Sequence, residues 1–244
     1  MLELVLLGVS VGVISGFFGI GGGTILIPLL LLLNYDTKVA IGIAVLQMVF
    51  SSVFGSYLNN KKGTLNITMV MVIGIGGFIG AQFSGLITSN ISDETLEVLF
   101  LTFTSFALVK LFFKTHESAD IKKINNYILL LIGFIIGAIS MTIGVGGSLL
   151  LVPILVGFLH VPLKQATSAG LFFVVFSSIS GLISHSLEGH MDYEKGVLIG
   201  LASLFGVYVG IHLKEKIDAV LQKKLLVIFY LIIVSYLTYR IFGV

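Results

Sequence analysis

The chain has 244 residues; 57% are hydrophobic and only 11% are charged, with a mean hydropathy of +1.11. A water-soluble domain carries about 25% charged residues, so a soluble globular fold is excluded, and a net charge of +2 without a basic patch offers nothing to nucleic acid. The absence of cysteine excludes disulfides, thiol relays and cysteine metal sites.

The apolar runs are long. Residues 39–58, 65–92 and 127–163 contain no charged side chain, and about 20 apolar residues cross a bilayer. The pattern predicts an all-α polytopic membrane protein forming one transport domain over 1–244, in a lipid bilayer. In chain order the predicted elements are 2–33, 39–58, 65–88 and 94–113, then 126–159, 163–185, 193–213 and 220–242. The N-terminus lacks a basic region, so no removable signal peptide is expected. With no Trp, interfacial anchoring falls to Tyr35, Tyr57, Tyr127, Tyr193 and Tyr239.

The elements form two homologous halves, 1–113 and 126–244, joined by the polar loop 114–125. Shifted by 125 residues, Gly12, Ser15, Gly19, Gly21, Gly22 and Pro28 fall on Gly137, Ser140, Gly144, Gly146, Gly147 and Pro153. Shifted by 126, Lys38, Ser51, Ser52 and Gly55 fall on Lys164, Ser177, Ser178 and Gly181. Each half opens with a glycine-broken element that is too long for one span. As continuous helix, residues 2–33 would measure about 48 Å against a core of about 30 Å. The glycine phrase either kinks a tilted helix or folds it back as a re-entrant pair.

Lysine and arginine placement favours the second form, because cytoplasmic loops are enriched in them. If the broken element crosses, the repeats are parallel and the basic residues divide eight against six. If it re-enters, the repeats are inverted and the division is eleven against three, with Lys38, Lys195 and Arg240 outside. Small-residue stripes (Gly8, Gly12, Gly16; Gly76, Gly80; Gly206, Gly210) are at the spacing that lets membrane helices pack closely.

Irregular backbone at membrane depth is tolerated only where it is buried in protein or lines a watery cavity, and matched breaks in two halves point to a transporter's binding site. A helix that starts inside the membrane presents unpaired N–H groups and partial positive charge, which suit a small anion. Such helices are expected to begin near Thr24 and Ser148, both good N-cap types. Gly21, Gly22, Gly23, Gly146 and Gly147 would let a ligand approach the main chain. The bland alternative is that the glycines only let helices cross.

Other polar residues within spans are Gln47, Ser51, Ser52, Gln82, Ser84, Thr102, Thr104, Ser105, Ser168, Ser177 and Ser178. The pairs Ser51–Ser52 and Ser177–Ser178 recur at the repeat offset, with back-bonding to a helix carbonyl as their alternative role. Gln47 has Phe173 as its counterpart, which makes it the candidate for an asymmetric contact. His185 and His190 beside Glu188 read as an interfacial cluster. No metal site, cofactor or nucleotide loop is predicted, since no strand precedes Gly19-Ile-Gly21-Gly22-Gly23 and no lysine follows it.

The duplicated Gly-x-Gly-Gly phrase followed by proline resembles the TauE/SafE family of membrane transporters, also called sulfite exporters, over essentially the whole chain. The resemblance marks Gly19, Gly21, Gly22, Pro28, Gly144, Gly146, Gly147 and Pro153 as motif positions. It implies transport of sulfite, sulfonates, thiosulfate or related sulfur anions across a prokaryotic inner membrane. The leading expectation is a secondary carrier working by alternating access, not an enzyme. An anion channel using the same half-helices is the alternative, and an intramembrane hydrolase pairing Ser148 with His185 is a remote third.

Overall fold

The computed structural model describes residues 1–63, 67–112, 125–189 and 191–243. Residues 114–124 of the joining loop and His190 lie outside them. The described residues form eleven helices: α1 (Leu2–Phe18), α2 (Gly23–Leu32), α3 (Thr37–Lys61), α4 (Ile67–Ala81), α5 (Ser84–Asn90), α6 (Asp93–Phe112), α7 (Asn126–Thr142), α8 (Ser148–Leu159), α9 (Leu163–Leu187), α10 (Tyr193–Lys216) and α11 (Ala219–Phe242). Five apolar stretches are long enough to cross a membrane: Thr37–Lys61, Val70–Asn90, Leu163–Leu187, Tyr193–Lys216 and Ala219–Phe242. Large apolar side chains such as Leu6, Phe205 and Ile232 remain exposed, as expected where the solvent is lipid.

Predicted and observed elements agree closely, with one difference. The third span of the first half is interrupted by a turn at Gln82–Phe83, between α4 and α5. There Ser180 and Ser184 of α9 donate to the side chain and backbone carbonyls of Gln82 (3.0 and 2.7 Å), and Gly85 N–H donates to Ser184 Oγ. These bonds pair polar groups at the interruption. Ser84 donates to the Ala81 carbonyl at 2.7 Å. The polar residues Gln82 and Ser84 therefore serve this turn.

The glycine stripes pack the halves together. Gly8, Gly12 and Gly16 of α1 lie against the carbonyls of Ile199, Ser203 and Val207 on α10, while Gly206 and Gly210 lie against those of Val9 and Val13. On the other side, Gly76 and Gly80 of α4 meet the carbonyls of Leu130 and Phe134 on α7, and Gly133 and Gly137 meet those of Ile73 and Gly77. Residue numbers rise together along each pair, so both pairs are parallel. Each half thus lends its first helix to the third span of the other. The stripe on α7 completes a set that the sequence reading found in part.

The two ends of the bundle carry different contacts. At one end Arg240 of α11 holds Glu97 of α6 at 2.9 Å and donates to the Leu31 carbonyl of α2. Thr37 of α3 bonds Glu97, and Lys38 reaches the Ser89 carbonyl of α5. Ser89 in turn donates to Glu188 beyond α9, and Lys195 of α10 lies over the Tyr35 ring. At the other end Lys62 pairs with Glu215, Lys214 reaches Asn59 and Ser168, and Lys110 lies over Phe158. Between the ends, α3 and α9 pack on each other.

Candidate functional site

The two breaks are built alike. Helix α1 stops because Gly19 turns into the left-handed region (φ 67°), its N–H closing on the Ser15 carbonyl at 2.8 Å. Gly21 is also left-handed (φ 65°), and α2 starts at Gly23. After α7, Val145 N–H closes on the Ser140 carbonyl at 2.8 Å. Gly144, Gly146 and Gly147 are all left-handed, and α8 starts at Ser148. Ser15 and Ser140, one repeat apart, supply the terminal acceptor in both halves.

One expectation needs correction. The N-caps are Gly22 and Gly147, not Thr24 and Ser148, and neither helix start has a side-chain cap. Thr24 and Ser148 lie inside the first turn; Thr24 Oγ1 bends back to the Ile20 carbonyl at 3.4 Å. A glycine cap admits neighbouring atoms where a hydroxyl would otherwise stand. It leaves the first-turn N–H groups without a side-chain acceptor.

The breaks touch. A Cβ on Gly23 would collide with the Gly144 carbonyl, so the start of α2 is pressed against the other break just after the end of α7. Met48 and Val174 are themselves 126 residues apart, and both lie against Gly21 and Gly146. Gln47 lays its amide on Gly22, whereas its counterpart Phe173 lays its ring on Gly147. The site is therefore pseudo-symmetric in backbone and asymmetric in side chains.

All twelve candidate positions are buried: Gly21, Gly22, Gly23, Thr24, Gln47, Ser51, Ser52, Gly146, Gly147, Ser148, Ser177 and Ser178. They do not all reach the breaks by hydrogen bonds. Ser51, Ser52 and Ser178 bond carbonyls of their own helices at 3.4–3.5 Å, the alternative role weighed for them. Ser177 alone among the four reaches a break, donating to the Gly146 carbonyl at 3.0 Å. Gln47 Oε1 and Nε2, Ser15 Oγ, Ser140 Oγ and Ser148 Oγ are buried with no hydrogen-bond partner among the described residues. Buried polar atoms are almost always paired, so such a group marks a place to look for function.

Further polar residues fall to structural roles. Thr102 and Thr104 back-bond to Val98 and Phe100. Nε2 of His185 contacts the Met141 carbonyl at 3.1 Å. Ser148 packs by Gly170 of α9, fifteen residues and about 22 Å of helix from His185. The hydrolytic dyad is not assembled.

Three contributors escaped the sequence reading. Met48 is an ordinary apolar residue until its repeat partner Val174 is noticed. Tyr230 of α11, fully buried, donates to the Leu149 carbonyl at 3.2 Å. That carbonyl is four residues before Pro153, which has no N–H to offer it, so Tyr230 replaces the missing helix bond. Lys214 is buried although it sits near a helix end; hydropathy alone assigns such a residue to the interface.

Multiple apolar helices, five of them in stretches long enough to cross a bilayer, packed around two buried, touching helix breaks define a multi-pass membrane protein. The chain belongs to the family described as "Sulfite exporter TauE/SafE", whose sequence profile matches residues 4–237. It is 25% identical to the "Probable membrane transporter protein YunE" of Bacillus subtilis, over 92% of this chain and 90% of that one. It is 26% identical to YdhB of the same bacterium, over 87% and 89%. It is also 26% identical to MJ0441 of Methanocaldococcus jannaschii, over 88% and 86%. No solved structure matches the chain.

Proposed function

We propose that the protein is a secondary carrier of a small sulfur-containing anion, of the sulfite or organosulfonate class, held between the N-termini of α2 and α8. The observation that carries this reading is that the start of α2 at Gly23 meets the second break at the Gly144 carbonyl, beside the unpartnered amide of Gln47, with neither α2 nor α8 capped by a side chain. Helix N-termini attract anions through aligned backbone dipoles without a side-chain charge. Amide and hydroxyl donors add direction. The sulfur class rests on family membership.

The carrier has the topology of an inverted repeat with re-entrant broken elements. Support comes from the helix ends. The end of α2 lies with the starts of α3 and α6 and the end of α11, through Arg240, Glu97 and Thr37. The start of α9 lies with the ends of α3 and α10, through Lys214. Helices α3 and α9 therefore run in opposite directions. Helix α1 is parallel to α10, so α2 returns to the end from which α1 set out. The Lys62 end gathers eight of the eleven basic residues described, which makes it cytoplasmic. The opposite end carries Asp36, Asp93, Glu94, Glu97, Glu188 and Asp192.

This polarity favours export. Basic residues raise the local anion concentration inside, and a negative interior drives each charge outward with about 2.3 kcal/mol per 100 mV. The tight contact of Gly23 with the Gly144 carbonyl favours a carrier that alternates over a channel held open.

Proteoliposome flux of sulfite, thiosulfate, sulfonates, sulfate and chloride tests the proposal. Saturable, selective movement of a sulfur anion is expected, with counterflow, and with loss when Gly22 or Gly147 becomes Leu. No flux of any of these anions at either voltage sign would sink it. Unsaturating flux without counterflow would make the protein a channel.

A further inference from the structure

Lys214 is a charged residue inside the bundle, 1% exposed. Its ammonium donates to Asn59 Oδ1 at 3.0 Å and to Ser168 Oγ at 3.2 Å. Among the described residues no carboxylate lies within 4 Å of it; its neighbour Glu215 pairs instead with Lys62 at 2.6 Å. Burying a cation against neutral acceptors alone is costly unless a counter-charge arrives. An ammonium has three donors, and two are used here. Ionisable residues inside membrane bundles are rare and mark substrate or ion pathways.

Its place in the fold gives the cation a direction. Ser168 follows Thr167, whose carbonyl lies against Gly19 at the first break, and Gly170 on the same helix lies against the Gly19 carbonyl and Ser148. The ammonium is thus within about a turn of α9 from the break, on the basic face. At the repeat offset its counterpart on the other face is Thr88, which donates to the Thr142 carbonyl at 2.9 Å. One mouth of the pseudo-symmetric site carries a buried charge, and the other carries a neutral hydroxyl.

We infer that Lys214, with Asn59 and Ser168, forms an anion-accepting station at the cytoplasmic mouth, where the transported oxyanion pairs with the ammonium before it reaches the glycine breaks. The inference rests on the anion-carrier reading and adds a second subsite to it. The arriving oxyanion supplies the counter-charge that the protein leaves out and accepts a hydrogen bond from the remaining ammonium donor. Its asymmetry makes substrate recruitment stronger on one side.

Two measurements on the full chain test it, with Lys214→Gln and Lys214→Arg beside the unaltered protein. The first is half-saturation of sulfite flux from each face. A lost charge-assisted hydrogen bond predicts a rise of roughly tenfold for Lys214→Gln at the basic face, little change at the acidic face, and recovery in Lys214→Arg. Unchanged values at both faces, or equal rises at both, overturn the station while leaving the carrier intact. The second is the sulfite-dependent rise in melting temperature of purified protein, which reads binding without transport. Loss in Lys214→Gln with retention in Lys214→Arg supports the station even if flux fails. An equal rise in all three proteins, or none in the unaltered one, overturns it.

Discussion

Gln47 rests its amide on Gly22, and neither polar atom of that amide has a hydrogen-bond partner among the described residues. Its repeat counterpart, Phe173, covers Gly147 with a ring and has no such deficit. The amide is therefore an expense of the folded state that packing does not require. A buried amide without partners costs about 1–3 kcal/mol. Replacing Gln47 with Leu should leave the melting temperature of the purified protein unchanged or higher, while anion flux drops at least severalfold. A lower melting temperature with undiminished flux would mark the amide as a structural group.

The contact between the breaks makes a sharper demand at Gly23. This glycine is inside α2, where alanine would ordinarily be favoured by about 1 kcal/mol. In this fold its methyl would strike the Gly144 carbonyl, and backbone cannot swing aside as a side chain can. Overpacking of this kind costs about 1–3 kcal/mol, so Gly23→Ala should destabilise the protein and abolish flux together. Gly63→Ala is the control. It carries a positive φ of 69° but nothing among the described residues lies within 4 Å of the added Cβ, so it bears backbone strain there and should transport normally. Normal flux in Gly23→Ala would show that the breaks need not touch.

Much of this arrangement was legible in the chain because the duplication exposes it. The repeated Gly-x-Gly-Gly phrase located both breaks, and the Phe173 that replaces Gln47 at the repeat offset announced the asymmetry. Helix limits were readable from charge and glycine placement to within a few residues. What stayed hidden depends on distance across the fold. The caps went to Gly22 and Gly147 because Gln47 and Phe173 occupy the space above them, which no local propensity encodes. The turn at Gln82 is sustained by Ser180 and Ser184 from a helix about a hundred residues away. Lys214 looked like a loop residue because hydropathy does not tell a snorkelling lysine from one drawn inward by Asn59 and Ser168.

The inverted topology can be tested without background, because the chain has no cysteine. Single cysteines at Glu94 and Glu194, both exposed, should react with an impermeant thiol reagent from outside. Cysteines at Gln165 and Lys216, also exposed, should react only after the membrane is opened. In a parallel-repeat arrangement Glu94 would join Gln165 and Lys216 on one side, and Glu194 would be alone on the other. The pairing of Glu94 with Glu194 therefore decides between the two.

The glycine stripes predict a pattern of energetic coupling. Gly12 presses on the Ser203 carbonyl and Gly206 on that of Val9, so both belong to the seam between α1 and α10. Gly137 belongs to the separate seam between α7 and α4. Valine at any of the three forces parallel helices apart, at a cost of about 1–3 kcal/mol, and should lower the unfolding midpoint in detergent. Once Gly12→Val has opened the first seam, Gly206→Val meets less resistance, so the double variant should lose clearly less than the sum of the singles. Gly12→Val with Gly137→Val should be additive within about 0.5 kcal/mol, as distant sites usually are. Additivity in the first pair would mean that the two glycines do not share a seam. Strong coupling in the second would mean that the halves unfold as one body through contacts at the breaks.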